Sequence, residues 1–161
     1  VDKASMNAST DFYLAIGDAC SFAKTISEAD VYLFAGVTGD FSPNHVNAQA
    51  MADSAYGQRV AHGALLVGLM STTSTMMVAR CRRVLGPPET PVALGYDRIR
   101  FLGPVFFGDT VTVVYTVTAV DAIKRRSVAD IRVTNQRGAL VCVATGLLKW
   151  VPIEEKKADS S

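Results

Sequence analysis

Cysteine, tryptophan and histidine are scarce in this chain: three Cys, one Trp and two His among 161 residues. Cys20, Cys81 and Cys142 are odd in number and far apart, in neither a C-x-x-C pair nor a finger spacing. A disulfide framework and a structural zinc site are therefore unsupported, and a reducing, cytoplasmic setting is expected. No metal site is expected elsewhere, because His45 and His62 are separated by a helical segment without an accompanying ligand cluster. Charge of either sign is also lacking in excess: 16 basic and 15 acidic side chains leave a formal net charge of +1. That balance offers no broad basic field, so nucleic acid is not an expected partner. The longest uncharged stretch, Gly63 to Ala79, carries Ser71, Thr72, Thr73, Ser74 and Thr75 in its middle and reads as a buried helix, not a membrane span. Val1 to Asp11 is polar, with no apolar centre of the kind a signal peptide needs.

A composition 49% hydrophobic and 19% charged is that of a folded protein large enough to bury its own core. Ala19 to Ile26 reads as a strand. Ser27 stands where a helix N-cap belongs, with Asp30 three places on as the other half of a capping box. The helix that follows turns Val31, Phe34 and Ala35 inward and ends near Gly36 to Gly39, leaving Asp40 just past its end. Asn47 to Tyr56 reads as a short helix with Met51 and Ala55 inward, stopped by Gly57. The main helix opens at Gly63. Leu65, Leu66, Leu69, Thr73, Met76 and Met77 recur along it at helical spacing, so the Met pair is core, and Ala64, Gly68 and Ser71 form a small-residue side suited to a sheet. Arg80, Arg82 and Arg83 suit its C-terminal end, and Gly86-Pro87-Pro88 stops it. Val92 to Phe101, Thr110 to Val120, Ser127 to Thr134 and Ala139 to Trp150 are rich in Val, Ile, Thr and aromatics between turn signals, which predicts an antiparallel meander. The class is α+β, with helices on one face of the sheet, one domain over 1–153 and a polar tail over 154–161.

The chemistry concentrates in Thr38-Gly39-Asp40-Phe41-Ser42-Pro43-Asn44-His45 and in Ala61-His62-Gly63-Ala64-Leu65-Leu66. Taken alone, Asp40 is an ordinary loop carboxylate and His45 an ordinary surface histidine. Pro43 restricts Ser42 and stiffens the link between them, and Gly63 opens a helix whose N–H groups point at any developing anion. His62 reads as a structural residue that fixes the helix start by a hydrogen bond.

These strings resemble the MaoC-like dehydratases, or (R)-specific enoyl-CoA hydratases, whose motif runs approximately T/S-G-D-x-N/S-P-x-H and later A-H-G-x-L. The similarity extends over the Ser27 helix, Arg100-Phe101-Leu102-Gly103-Pro104-Val105 and Gly108-Asp109-Thr110. It implies the hot-dog fold, a long central helix wrapped by a curved antiparallel sheet, in an obligate homodimer or an oligomer of dimers with the active site at or near the subunit contact. By position, the resemblance implies that Asp40 and His45 are catalytic, that the Gly63 N–H binds the thioester oxygen, and that Ser71 supports the site. Hydration of a 2-enoyl thioester needs a base for water, an acid for C2 and donors for the enolate oxygen, and needs no cofactor beyond the coenzyme A of the substrate. Ser42 and Asn44 depart from the commonest pattern. A polar Asn44 beside His45 suits a short or functionalised acyl group, and Tyr56 is a further candidate for the pocket wall. Arg80, Arg82, Arg83, Lys124, Arg125 and Arg126 are either contacts for coenzyme A phosphates or solvated helix-end and hairpin charges. Competing readings are a 3-hydroxyacyl-ACP dehydratase, a hot-dog acyl-CoA thioesterase and a non-catalytic acyl-CoA-binding module. The D-x4-H spacing argues against the thioesterase, and the retained Asp40 and His45 argue against the binding module.

Overall fold

A computed structural model describes residues 12–80 and 88–153. Cys81, Arg82, Arg83, Gly86 and Pro87, the first eleven residues and the polar tail lie outside the described residues. Five strands form one sheet: β1 (Ala19–Thr25), β2 (Glu89–Phe101), β3 (Thr110–Asp121), β4 (Arg126–Asn135) and β5 (Leu140–Pro152). The helices are α1 (Glu28–Thr38), α2 (Pro43–Val46), α3 (Ala48–Ala52) and α4 (Gly63–Arg80).

Strand order is β1-β3-β4-β5-β2, antiparallel throughout. The expected meander holds for β3, β4 and β5. β2 departs from it, pairing with β5 at the far edge while β3 pairs with β1. Alternation in β3 is that of a half-buried strand: Val111, Val113, Tyr115 and Val117 are buried and the residues between them are not. Ser127, Ala129, Ile131 and Val133 of β4 and Ala144, Leu148 and Trp150 of β5 continue the buried layer. α4 packs on this sheet with Leu66, Leu69, Met70, Thr73, Ser74 and Met77 inward. This is the hot-dog arrangement, a long helix against a five-stranded antiparallel sheet. The small-residue side behaves differently from expectation: Ala64, Gly68 and Ser71 are exposed, because the larger apolar residues of α4 bury more surface and take the sheet-facing side.

Local signals explain the helix ends. Ser27 and Asp30 form a reciprocal capping box at the start of α1. Gly39 closes α1 in the left-handed conformation (φ 79°), its N–H bonded to the Ala35 carbonyl. Pro43 opens α2 at a position where a missing N–H costs nothing, so His45 rides on a helical turn, not on the stiffened loop the sequence suggests. α3 is shorter than expected and ends five residues before Gly57. Both the N–H and the hydroxyl of Ser54 bond the Met51 carbonyl, competing with continuation of the helix, and Ala55 is consequently exposed.

Candidate active site

His45 lies on α2 with its ring buried, and its Nδ1 is 2.7 Å from the Val60 carbonyl. A carbonyl only accepts, so Nδ1 donates to it, and the base form of the ring has its lone pair at Nε2. Beside that lone pair stand the Asn44 Nδ2, at 3.3 Å, and the Asp40 Oδ2, at 4.0 Å. Asp40 is half exposed; its other carboxylate oxygen accepts from the Ser42 N–H at 3.3 Å and its own N–H donates to the Thr38 hydroxyl. The α1 C-cap and the Pro43 turn thus hold a carboxylate and an imidazole facing each other across a gap wide enough for one water oxygen to bond both.

The segment 59–61 closes the other side. Val60 N–H donates to the Asn44 carbonyl, Val60 bridges to Phe106, and Ala61 N–H donates to the Val105 carbonyl. Arg59 anchors this segment to α1 through an ion pair with Glu28 at 2.6 Å and a bond to the Tyr32 hydroxyl, with its guanidinium over the Phe107 ring. Gly63 then begins α4, where the first N–H groups have no carbonyl a turn earlier to bond.

A cleft of about 330 Å³ opens between these elements, walled by Asn44, His45, Tyr56, Gly63, Leu66 and the Phe101 to Val105 segment among others. Four of the residues singled out in the sequence, Asn44, His45, Tyr56 and Gly63, therefore meet at one cavity. Asp40 does not line it but stands beside it, its carboxylate 4.0 Å from His45 Nε2. Ser71 does not join them. It lies roughly 12 Å further along α4, exposed and not among the residues lining the cleft. The Leu66 and Phe101 walls escaped sequence reasoning as pocket residues, since Phe101 reaches the site only through the β2 to β5 pairing. The Gly103-Pro104 turn directly after an apolar strand end was the available signal.

Asp40, His45 and His62 also offer three potential metal-ligand atoms within 4.8 Å of one another, a proximity hidden by their separation in sequence. His62 Nε2 is spent, however, as a donor to the Asp40 main-chain carbonyl at 2.9 Å. Freeing it would move its proton to Nδ1, which is buried and has no partner among the described residues. The donor set therefore suits proton transfer better than metal coordination. Arg125 is equally committed: it is bonded to the Glu89 carboxylate and stacked near Phe12 and Tyr13, which makes it a structural hairpin charge and not a phosphate contact. Lys124 pairs with Asp121.

A family model described as "MaoC like domain" matches residues 12–138. The chain belongs to the MaoC-like family. Among relatives, it is 39% identical over 104 residues to an (R)-specific enoyl-CoA hydratase of Rhodospirillum rubrum, covering 65% of this chain and 66% of that protein. It is 32% identical over 133 residues to a 3-hydroxybutyryl-CoA dehydratase of Methylorubrum extorquens, covering 83% of this chain and 78% of the other. The solved (R)-hydratase of Aeromonas caviae involved in PHA biosynthesis superposes with a TM-score of 0.72 at 29% identity, over 84% of this chain and 96% of that one. Among the described residues of this MaoC-like chain, no helix is long and apolar enough to cross a membrane.

Proposed function

We propose that this cleft adds water to trans-2-enoyl-CoA to give (R)-3-hydroxyacyl-CoA, or runs the reverse dehydration. At the level of the MaoC-like family the chain is a hydro-lyase acting on acyl-CoA thioesters, consistent with the names of its relatives. The observation that carries the finer reading is the lone pair of His45 Nε2 facing the Asp40 carboxylate at 4.0 Å beside the Gly63 helix start. In this reading a water is held between the two side chains. His45 Nε2 takes one of its protons, the water oxygen bonds C3, and the C2=C3 π pair becomes the C1=C2 bond of an enolate. The carbonyl π pair comes to rest on the thioester oxygen, which accepts a hydrogen bond from the Gly63 N–H. The proton returns from the pair to C2, so one water is added and the site is restored. Base, acid and oxyanion donor all come from this chain, and no cofactor is invoked beyond substrate coenzyme A.

Short or functionalised acyl groups are supported by the Asn44 amide at the edge of the cleft and by the Leu66 and Phe101 side chains that narrow it. A homodimer is supported by the half-open site and by edge strand β2, which leaves Val92, Leu94 and Phe101 exposed. A cytoplasmic location is in keeping with the free, buried Cys20 and Cys142.

The test follows loss of the enoyl-thioester absorbance with crotonyl-CoA, longer enoyl-CoAs and an enoyl-ACP, with the product resolved by chiral chromatography. Asp40→Asn and His45→Gln should each lower kcat by about 10²-fold or more. Full activity in either variant would sink the mechanism. Hydrolysis of acyl-CoA in place of hydration would move the assignment to a thioesterase.

A further inference from the structure

His62 belongs to none of the chemical steps above, yet it touches both groups that perform them. Its Nε2–H donates to the Asp40 carbonyl at 2.9 Å. Its ring stacks on His45 with centroids 3.7 Å apart and planes 26° from parallel, and the Phe34 ring packs against it at 4.9 Å. The side chain is 2% exposed, and its Nδ1 is buried without a partner among the described residues. A residue needed only to start α4 would not have to leave a buried polar atom unsatisfied, which is unfavourable. Phenylalanine or leucine would fill such a space without that cost. Retaining an imidazole points to the one thing it supplies here, a ring face and an N–H donor on the same rigid plane.

We infer that His62 is a positioning residue for the hydration step: its N–H fixes the Asp40 main chain while its ring face fixes the plane of His45, which together set the 4.0 Å gap in which the water is held. Each group alone has freedom that would spoil the gap. Asp40 is half exposed just beyond a helix end, and the His45 ring is held in its plane only by the Nδ1 bond to Val60 and a long 3.3 Å bond from the Asn44 amide at Nε2, about which it can tilt. His62 removes both freedoms at once because it is itself clamped between Phe34 of α1 and His45 of α2. The inference rests on the hydratase reading.

The test uses two variants that divide the role: His62→Phe keeps a stacking face without a donor, and His62→Gln keeps a donor without a ring. With crotonyl-CoA, each should lower kcat by about tenfold or more while KM stays within about twofold, since alignment is lost and substrate contacts are not. Combined with Asp40→Asn, either should add little further loss, because residues acting as one unit are not additive. An activity-independent measurement accompanies these. Imidazole ¹⁵N shifts of His45, taken where the ring is neutral, should show the Nδ1–H tautomer in the wild type and tautomer averaging in the variants. Unchanged kcat and unchanged His45 shifts in variants that melt like wild type would overturn the inference, as would full multiplicative loss in the double variants. A wild type inactive on every enoyl thioester would overturn the hydratase reading instead, leaving the ¹⁵N spectra to decide the positioning of His45.

Discussion

A Cβ built on Gly63 would lie 2.9 Å from three ring carbons of Phe101, closer than real side chains approach. Glycine at this position therefore keeps the helix start open to the cleft and lets the aromatic wall come close. Phe101 is 53% exposed, so its ring has room to swing aside. Gly63→Ala is accordingly expected to leave the melting temperature within a few degrees of wild type while lowering kcat/KM by about tenfold, as the displaced ring disturbs the thioester seat. Thermal melts beside steady-state kinetics check this. A large stability loss with kcat/KM retained per folded molecule would show that the glycine serves packing and not the site. Asp40, His45, Asn44 and Gly63 were all visible as candidates in the chain because glycine and proline punctuate their neighbourhood and leave a rare local pattern. The stacking of His62 on His45 was not visible, since it depends on the intervening segment folding back until Val60 N–H reaches the Asn44 carbonyl.

Among the elements, α1 carries Asp40 at its C-terminal end, so whatever secures α1 secures the carboxylate. Its capping box satisfies the Ser27 N–H through Asp30 and the Asp30 N–H through Ser27, and Lys24 on β1 adds an ion pair to Asp30 at 3.1 Å. Burial alone would push the Asp30 carboxyl up, but the Ser27 and Lys24 bonds prevail and hold it below its ordinary value. Ser27→Ala should destabilise the fold by about 1 kcal/mol, measured by urea unfolding. An effect within error would mean that the Arg59 to Glu28 pair suffices to hold the helix start. Strand and helix identities were largely legible from periodicity and capping residues, which act over one or two turns. The length of α3 was not, because the Ser54 bonds to Met51 compete with helix propagation at a point where composition gives no warning. Nor was the place of β2, which depends on a pairing with residues some fifty positions away.

For the whole molecule, Glu89 links the edge of the sheet to the β3–β4 hairpin and to the N-terminal aromatic cluster. It accepts from Arg125 and from the Tyr13 hydroxyl at 2.9 Å, while Tyr13 stacks on Trp150. The Arg125 bonds, opposed in part by burial, hold the Glu89 carboxyl below its ordinary value. A depressed folded-state value contributes stability that is present above the unfolded carboxyl's value of about 4.3 and is lost as pH falls through the folded one. Glu89→Gln should therefore cost about 1.5–3 kcal/mol near pH 7, the worth of hydrogen bonds to a charged group. That gap from wild type should close in acid, measured by denaturant unfolding at several pH values. A pH-independent difference would assign the loss to packing.

By itself the sequence determined the two longer helices and the strands, though not the α2 turn or the length of α3. It also singled out the carboxylate, the imidazole and the glycine at the start of α4, because capping, turn chemistry and periodicity are short-range and written in neighbouring residues. The tertiary structure alone decided that Phe101 walls the cleft and that His62 bears on both Asp40 and His45. It also decided that Ser71 is exposed and does not line the cleft, and that Arg125 is held by Glu89. Each of those facts depends on contacts between residues distant in the chain, made or refused by which side of α4 buries more apolar surface and by which strand closes the edge of the sheet.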